Sequence, residues 1–180
     1  MSQHADALAV LRRWHAPDDD QELLRRRYVD HLDAHADGTT RACHPAHLTA
    51  GALVLSADGS QVLLTLHAKA RRWFHLGGHL EPGDATLADA ALREATEESG
   101  VTGLVLESEP LHLDAHDVAF CGDHASVSHL DVRFLARAPR DARPVVSEES
   151  VDVAWWPADA LPTDDADLRR MVDLAVSRAG

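Results

Sequence analysis

The chain of 180 residues carries 17 basic against 30 acidic side chains, a formal net charge of −13 with histidine neutral. That length suits one domain with a terminal extension, and the charge excludes a nucleic acid polymer as main partner, because no basic run exceeds Arg25-Arg26-Arg27. A composition 45% hydrophobic but only 4% aromatic predicts a helix-rich, thinly aromatic core, and no apolar run is long enough for a membrane span.

Helical signals open the chain. Ala5 to Trp14 predicts one helix, and Asp18-Asp19-Asp20 offer an N-cap for a second running to about His35. Leu23, Leu24, Arg27, Tyr28, His31 and Leu32 recur at three-to-four spacing, the pattern of an amphipathic helix docked on a neighbour. Asp37-Gly38-Thr39-Thr40 ends it. Leu48 to Ser56 and Gln61 to Ala68 then read as strands, joined as a hairpin through Ala57-Asp58-Gly59-Ser60. The chain therefore divides into a helical N-terminal extension, 1–44, and a main domain, 45–180. Beyond Gly77-Gly78 and Pro82-Gly83, one strong helix is expected from about Thr86 to Ser99, stopped by Gly100. Strand-like segments follow near Leu104 to Glu107, Leu111 to Phe120, Val127 to Ala138 and Val151 to Trp156, with a last helix from about Asp164 to Ser177. Helices are too few for repeated βαβ units, so an α/β sandwich with a mixed sheet is the expected fold.

The central helix carries Arg93-Glu94-Ala95-Thr96-Glu97-Glu98-Ser99-Gly100. At about 100° per residue, Leu87, Ala90, Ala91, Glu94, Glu97 and Glu98 share one stripe, and Asp89, Arg93 and Thr96 point away from it. Three carboxylates continuing an apolar face need a neutralising partner, and divalent cations that bridge carboxylates to phosphates supply one. The alternative is a solvated acidic face. Gly77 to Asp84, a glycine-rich loop directly before the helix N-terminus, favours the metal.

These residues resemble the Nudix hydrolase family, whose box reads G-x(5)-E-x(7)-R-E-U-x-E-E-x-G-U with U aliphatic. Gly78, Arg93, Glu94, Glu97, Glu98, Gly100 and Val101 match, and Ala95 stands at the first U. Asp84 replaces the first glutamate, and the spacer to Arg93 is one residue longer, which predicts a shifted loop rather than lost chemistry. The match covers residues 78–101; a strand hairpin before it and Trp155 to Pro162 after it extend the likeness loosely. The resemblance implies a Nudix-like α/β/α sandwich and Mg²⁺-dependent hydrolysis, with Mn²⁺ as the other candidate ion, of a nucleoside diphosphate linked to X. Carried over, Glu94, Glu97 and Glu98 would hold metal with a carbonyl at Gly77 or Gly78, and Arg93 would orient a box glutamate. The catalytic base varies in the family, and Glu148 or Glu149 stands where a remote base would sit.

Other side chains enter as candidates. His112-x-Asp114-x-His116 and His129-x-Asp131 place ligand-type residues on alternate strand positions, open to a transition metal, to substrate or to plain hydration. His79, His129 and Asp131 are taken as substrate contacts, with His75 and His79 flanking the glycines. Arg71, Arg72 and Trp73 offer a phosphate grip and a stacking face, against the plainer reading of Trp73 and Phe74 as core. Adjacent Trp155 and Trp156 should point to opposite faces, one buried and one half-exposed. Cys43 and Cys121 read as free thiols, the N-terminus lacks signal-peptide character, and the chain reads as cytoplasmic. Residues 1–44 would cover a pocket edge or form a homodimer contact. Two other functions share the resemblance: a catalytically weak nucleotide-sensing or interaction module, suggested by Asp84 and the longer spacer, and isoprenoid diphosphate isomerisation, for which neither cysteine lies in a matching motif.

Overall fold

One strand, β1 (Ala46–Leu55), is buried along its whole length and organises the molecule. The computed structural model describes residues 1–119, 126–146 and 150–179. Around β1 lie α1 (Gln3–Arg13), α2 (Asp19–Ala34), β2 (Gln61–His67), β3 (Trp73–Phe74), β4 (Leu76–His79), α3 (Leu87–Ser99), β5 (Val105–Val118), β6 (Val127–Arg137), β7 (Ser150–Pro157) and α4 (Ala166–Ala179). The strands form one mixed seven-stranded sheet in the order β3-β2-β1-β6-β5, with β4 also on β1 and β7 on β2. β6 runs parallel to β1 from Ala46↔Ser128 to Leu55↔Arg137. On its other edge β1 is shared: Val54 and Leu55 pair with β2, and Thr49 to Ala52 pair antiparallel with β4. A strand with neighbours on both edges and helices over both faces reads as a continuous apolar run, hence Ala-Gly-Ala-Leu-Val-Leu at 50–55.

Alternation along β1 divides the core. Ala50, Ala52 and Val54 face α3, where Ala90, Ala91 and Ala95 let the helix approach closely. Leu53 and Leu55 face α4, packing with Leu168, Met171, Val172 and Ala175. Helices on both faces of a mixed sheet make the α/β sandwich that the pattern of elements predicts. The first two helices are part of the same core: Ala7, Val10, Leu11, Trp14, Tyr28 and Leu32 pack with Leu87, Ala90 and Phe134.

Two contacts tie the extension down. Gln21, 2% exposed, answers both backbone groups of Leu113, donating to its carbonyl at 2.9 Å and accepting its N–H at 2.7 Å. The side chain thereby imitates a neighbouring strand on the outer edge of β5. At the other end of the extension, Gln3 Nε2 donates to the carbonyls of Glu81 and, at 2.8 Å, Asp84, while the Asp6 carboxylate accepts the Leu87 N–H at 2.9 Å.

The structure departs from the expected elements in four places. The segments 104–107 and 111–120 are one strand, β5, continued through register shifts at Leu106/Pro110 and Pro110/His112. Proline and acidic residues hid that continuity, because pairing with β6 and not side-chain pattern sustains it. β3 and β4 went unseen because Gly77 and Gly78 carry no side chains to alternate. Trp155 and Trp156 do face opposite clusters, but both are half-buried and neither is full core. The last helix starts at Ala166, after Asp165 accepts the N–H groups of Asp167 and Leu168. Among the described residues no helix is long and apolar enough to cross a membrane.

Candidate active site

The acidic helix α3 is delimited by its own chemistry. Thr86 caps its start by accepting the Asp89 N–H at 3.0 Å, and Gly100 closes its end at φ +66°, a conformation costly for any side chain. Its buried face is Leu87, Ala90, Ala91, Ala95 and Ser99, which corrects the stripe drawn from the sequence. Glu94 and Glu98 flank that face half-buried, whereas the Glu97 side chain is 62% exposed. Ala95 packs inward one turn from Ala91, so the acids border the core and do not extend it.

β4 brings backbone to those acids. Gly77 N–H donates to Glu98 Oε2 at 3.0 Å. A Cβ on Gly78 would lie 2.7 Å from the Glu94 carboxyl group, so glycine is what lets this carboxylate lie against the strand. Arg93 does not turn away from the acids as its helical position suggested. The long side chain folds back over the loop, reaching Asp84 Oδ1 and Oδ2 at 3.0 Å each, the His79 carbonyl at 2.9 Å, and Glu94 and Glu97 at 3.0 Å each. Asp84 also accepts the Glu81 N–H at 2.7 Å. The aspartate at the box's first acidic position thus pins the loop to the guanidinium.

Burial alone would raise the Asp84 carboxyl, but Arg93 and the Glu81 N–H outweigh it and hold the group below its usual 3.8. A carboxyl lowered in the folded chain adds stability above the unfolded value and gives it up as pH falls through the folded one. Asp84→Asn is therefore expected to cost about 1–2 kcal/mol at neutral pH, with the gap from wild type closing in acid below about pH 4. Urea unfolding at neutral pH and at about pH 3 measures both limbs.

Glu94, Glu97 and Glu98 offer only oxygen donors, beside a backbone that glycine leaves open at Gly78. Such a set fits a hard divalent ion of the Mg²⁺ or Mn²⁺ kind. The NUDIX domain family model matches residues 45–175. The chain belongs to the NUDIX family. A curated relative from Mycobacterium tuberculosis (strain CDC 1551 / Oshkosh), named "Putative mutator protein MutT4", is 34% identical over 152 residues, 77% of this chain. This NUDIX chain spans 58% of that relative's length. Among solved structures, the Caenorhabditis elegans Ap4A hydrolase binary complex aligns with a TM-score of 0.58 at 20% identity, covering 73% of this chain and 96% of that one. A NUDIX family hydrolase from Clostridium perfringens aligns at 0.55 and 24% identity, over 73% and 94%. At these identities the structures share the fold.

The candidate site gathers Gly78, Arg93, Glu94 and Glu98, with Glu97 at its exposed margin. Glu148 and Glu149 lie outside the described residues, as does Cys121. The described contacts of Arg72 and Trp73 lie elsewhere. Trp73 packs edge-to-face on Trp156, 5.3 Å between centroids, within the core under α4. Arg72 pairs with Asp165 at 2.8 Å and lies over the Phe74 ring, and Arg71 occupies a turn at φ +53°. No described contact directs these three toward the box acids.

His79, His129 and Asp131 fall on the sheet face opposite α3. Asp131, 5% exposed, accepts from Thr49 at 2.9 Å and Arg133 at 2.8 Å and lies 3.1 Å from His75 Nε2. Arg133 continues to Asp114 at 2.7 Å, which holds His116 at 2.7 Å. Burial opposes the Asp131 charge, yet Arg133 and His75 hold its carboxyl well below the usual range. Three of its acceptor directions are thereby taken by the protein's own side chains. Sequence reasoning missed Arg133, Thr49 and His47. Their signal was the alternation of β1 and β6, but His47 lay outside a strand read from Leu48.

Gly77 and Gly78 separate two kinds of constraint. Gly78→Ala should keep the fold, since the flexible end of Glu94 can yield, but weaken Mn²⁺ binding roughly tenfold by titration calorimetry. Gly77→Ala should instead destabilise by about 1–3 kcal/mol, because its Cβ would meet the Gly51 Cα at 2.6 Å and backbone cannot step aside.

Proposed function

We propose that this chain is a metal-dependent pyrophosphohydrolase that cleaves a diphosphate linkage in a small nucleotide-type substrate, a nucleoside diphosphate linked to X. The observation that carries this reading is the seating of Glu94 and Glu98 against Gly78 and Gly77, beneath the Arg93 clamp. Glu94, Glu97 and Glu98, with the backbone at Gly78, would hold Mg²⁺ or, alternatively, Mn²⁺. When bound, such an ion neutralises the diphosphate, polarises a P–O bond and lowers the pKa of an attacking water.

The chain's own groups do the rest. The Gly77 N–H fixes one Glu98 oxygen. Arg93 keeps three acids, Asp84, Glu94 and Glu97, within one charge-assisted network that holds them close together. Glu97, the most exposed of the three box glutamates, has room to leave Arg93 for an arriving cation. A general base from the segment of Glu148 and Glu149 belongs to this reading, as does a small-molecule partner in place of a nucleic acid polymer or membrane.

Phosphorus NMR in ¹⁸O-labelled water, over a panel of nucleoside diphosphate derivatives with Mg²⁺ or Mn²⁺, tests the proposal. Expected is turnover that stops with chelator and labels one product phosphate. Tight nucleotide binding without hydrolysis of any panel member would overturn it in favour of the sensing module.

A further inference from the structure

Three histidines from three strands meet on the sheet face turned away from α3. His47 on β1 and His129 on β6 are register partners, and His79 at the end of β4 pairs with Thr49, two residues along β1 from His47. Their ring centroids form a near-equilateral triangle, 5.1 Å for His47 to His129, 5.2 Å for His47 to His79 and 4.9 Å for His79 to His129. One nitrogen from each ring lies within 4.8 Å of the other two. Tetrahedral nitrogen ligands at the usual Zn–N distance stand roughly 3.3 Å apart, so small χ rotations close the set.

We propose that His47, His79 and His129 form a binding site for a single divalent ion of the zinc class, distinct from the box glutamates. Two features argue for a ligand rather than for stacked core rings. His129 Nε2 is buried with no hydrogen-bond partner, and an imidazole nitrogen left bare in the interior is costly unless something coordinates it. His47 Nδ1 lies 3.2 Å from the Cys43 carbonyl, which makes Nδ1 the donor and Nε2 the acceptor-type nitrogen of the ring. A ligating histidine is commonly fixed by a backbone carbonyl on its other nitrogen in this way.

The electrostatics agree. Burial, which disfavours a charged ring, lowers the pKa of His79 and of His129. Asp131 and Asp114 supply negative charge in the adjoining layer, with Arg133 and Arg41 as the opposing cations. Donor chemistry separates this position from the box: imidazole selects zinc, cobalt or nickel, and carboxylate selects magnesium or manganese. A bound ion would join β1, β4 and β6 and so hold the strand that carries Gly77 and Gly78. The proposal stands whether or not the chain hydrolyses nucleotides.

Cobalt supplies the test. Metal-free full-length protein is titrated with Co²⁺ in excess Mg²⁺, which occupies the carboxylates. One equivalent should produce the intense visible absorption of a low-coordinate nitrogen site, and one equivalent of Zn²⁺ should bleach it. His79→Asn and His129→Gln should weaken Co²⁺ by at least about 100-fold, the upper end of what losing a supporting group costs, while Glu98→Gln keeps the band. Imidazole ¹⁵N shifts of the wild type on Zn²⁺ addition identify the same three rings without any variant. The proposal falls if the wild type gives no such band, if a folded His79→Asn or His129→Gln retains it, or if those three rings do not shift.

Discussion

Glu98→Gln is expected to lower metal-dependent hydrolysis about 10³-fold or more, with the thermal midpoint unchanged within a few degrees. The substitution is nearly isosteric. Its amide oxygen can still accept the Gly77 N–H that Glu98 Oε2 now takes at 3.0 Å, so the seat on β4 survives. What is lost is one unit of negative charge where, in the proposed reaction, a divalent ion is shared with the two ionised phosphoryl groups of the diphosphate. Metal stabilisation of transition-state charge amounts to several kcal/mol, and about 4 kcal/mol corresponds to the stated factor. Steady-state rates at saturating Mg²⁺, beside a thermal melt, give both halves of the prediction. Undiminished turnover would remove Glu98 from the machinery, and a collapsed melt would make its role structural.

The largest stability effect is expected at Arg133, 6% exposed and wedged between two carboxylates. Arg133→Met keeps the aliphatic volume but leaves Asp131 and Asp114 to face each other from paired positions on β6 and β5. Removing one partner from a buried ion network typically costs about 3–5 kcal/mol, because the survivor cannot return to water. At this chain length that corresponds to a midpoint lowered by roughly 10 °C. Asp131→Asn in the same background should recover part of the loss, since an amide hydrogen-bonds to Thr49 and His75 without needing a counter-charge. Thermal or urea unfolding of the two single variants and the double completes the cycle; strictly additive costs would mean that the pair is not coupled.

The box was the most readable part of this chain, and for a physical reason. The family's box sets specific side chains at fixed helical spacing, so Arg93, Glu94, Glu97 and Glu98 stand out, as do Gly77 and Gly78 where backbone comes close. Periodicity likewise exposed α1, α2, α3 and the β1–β2 hairpin. It failed where pairing outweighs side-chain preference: β4 is a strand because β1 lies beside it, and β5 crosses Pro110 because β6 continues past it. Arg93 was misdirected by its Cα position, since a side chain with four rotatable bonds follows charge more than helix phase. The polar layer of Thr49, His75, Asp114, Asp131 and Arg133 was beyond reading from one sequence. Its members come from three strands and the link between β3 and β4, and only the register of a parallel pair between β1 and β6 places Asp131 against Thr49.

The grip of α1 on the loop before α3 has a dynamic consequence. Leu87 N–H, at the very start of the acidic helix, finds its acceptor in Asp6, and the Glu81 and Asp84 carbonyls find a donor in Gln3. Undocking of the first helix would therefore bare three polar groups of the loop and helix start at once. Local opening of the loop and of α1 becomes a single cooperative event, and amide exchange at Leu87 reports on a helix far away in sequence. Substitutions along Gln3–Arg13 can tune how long the box stays assembled without touching any atom that meets a substrate.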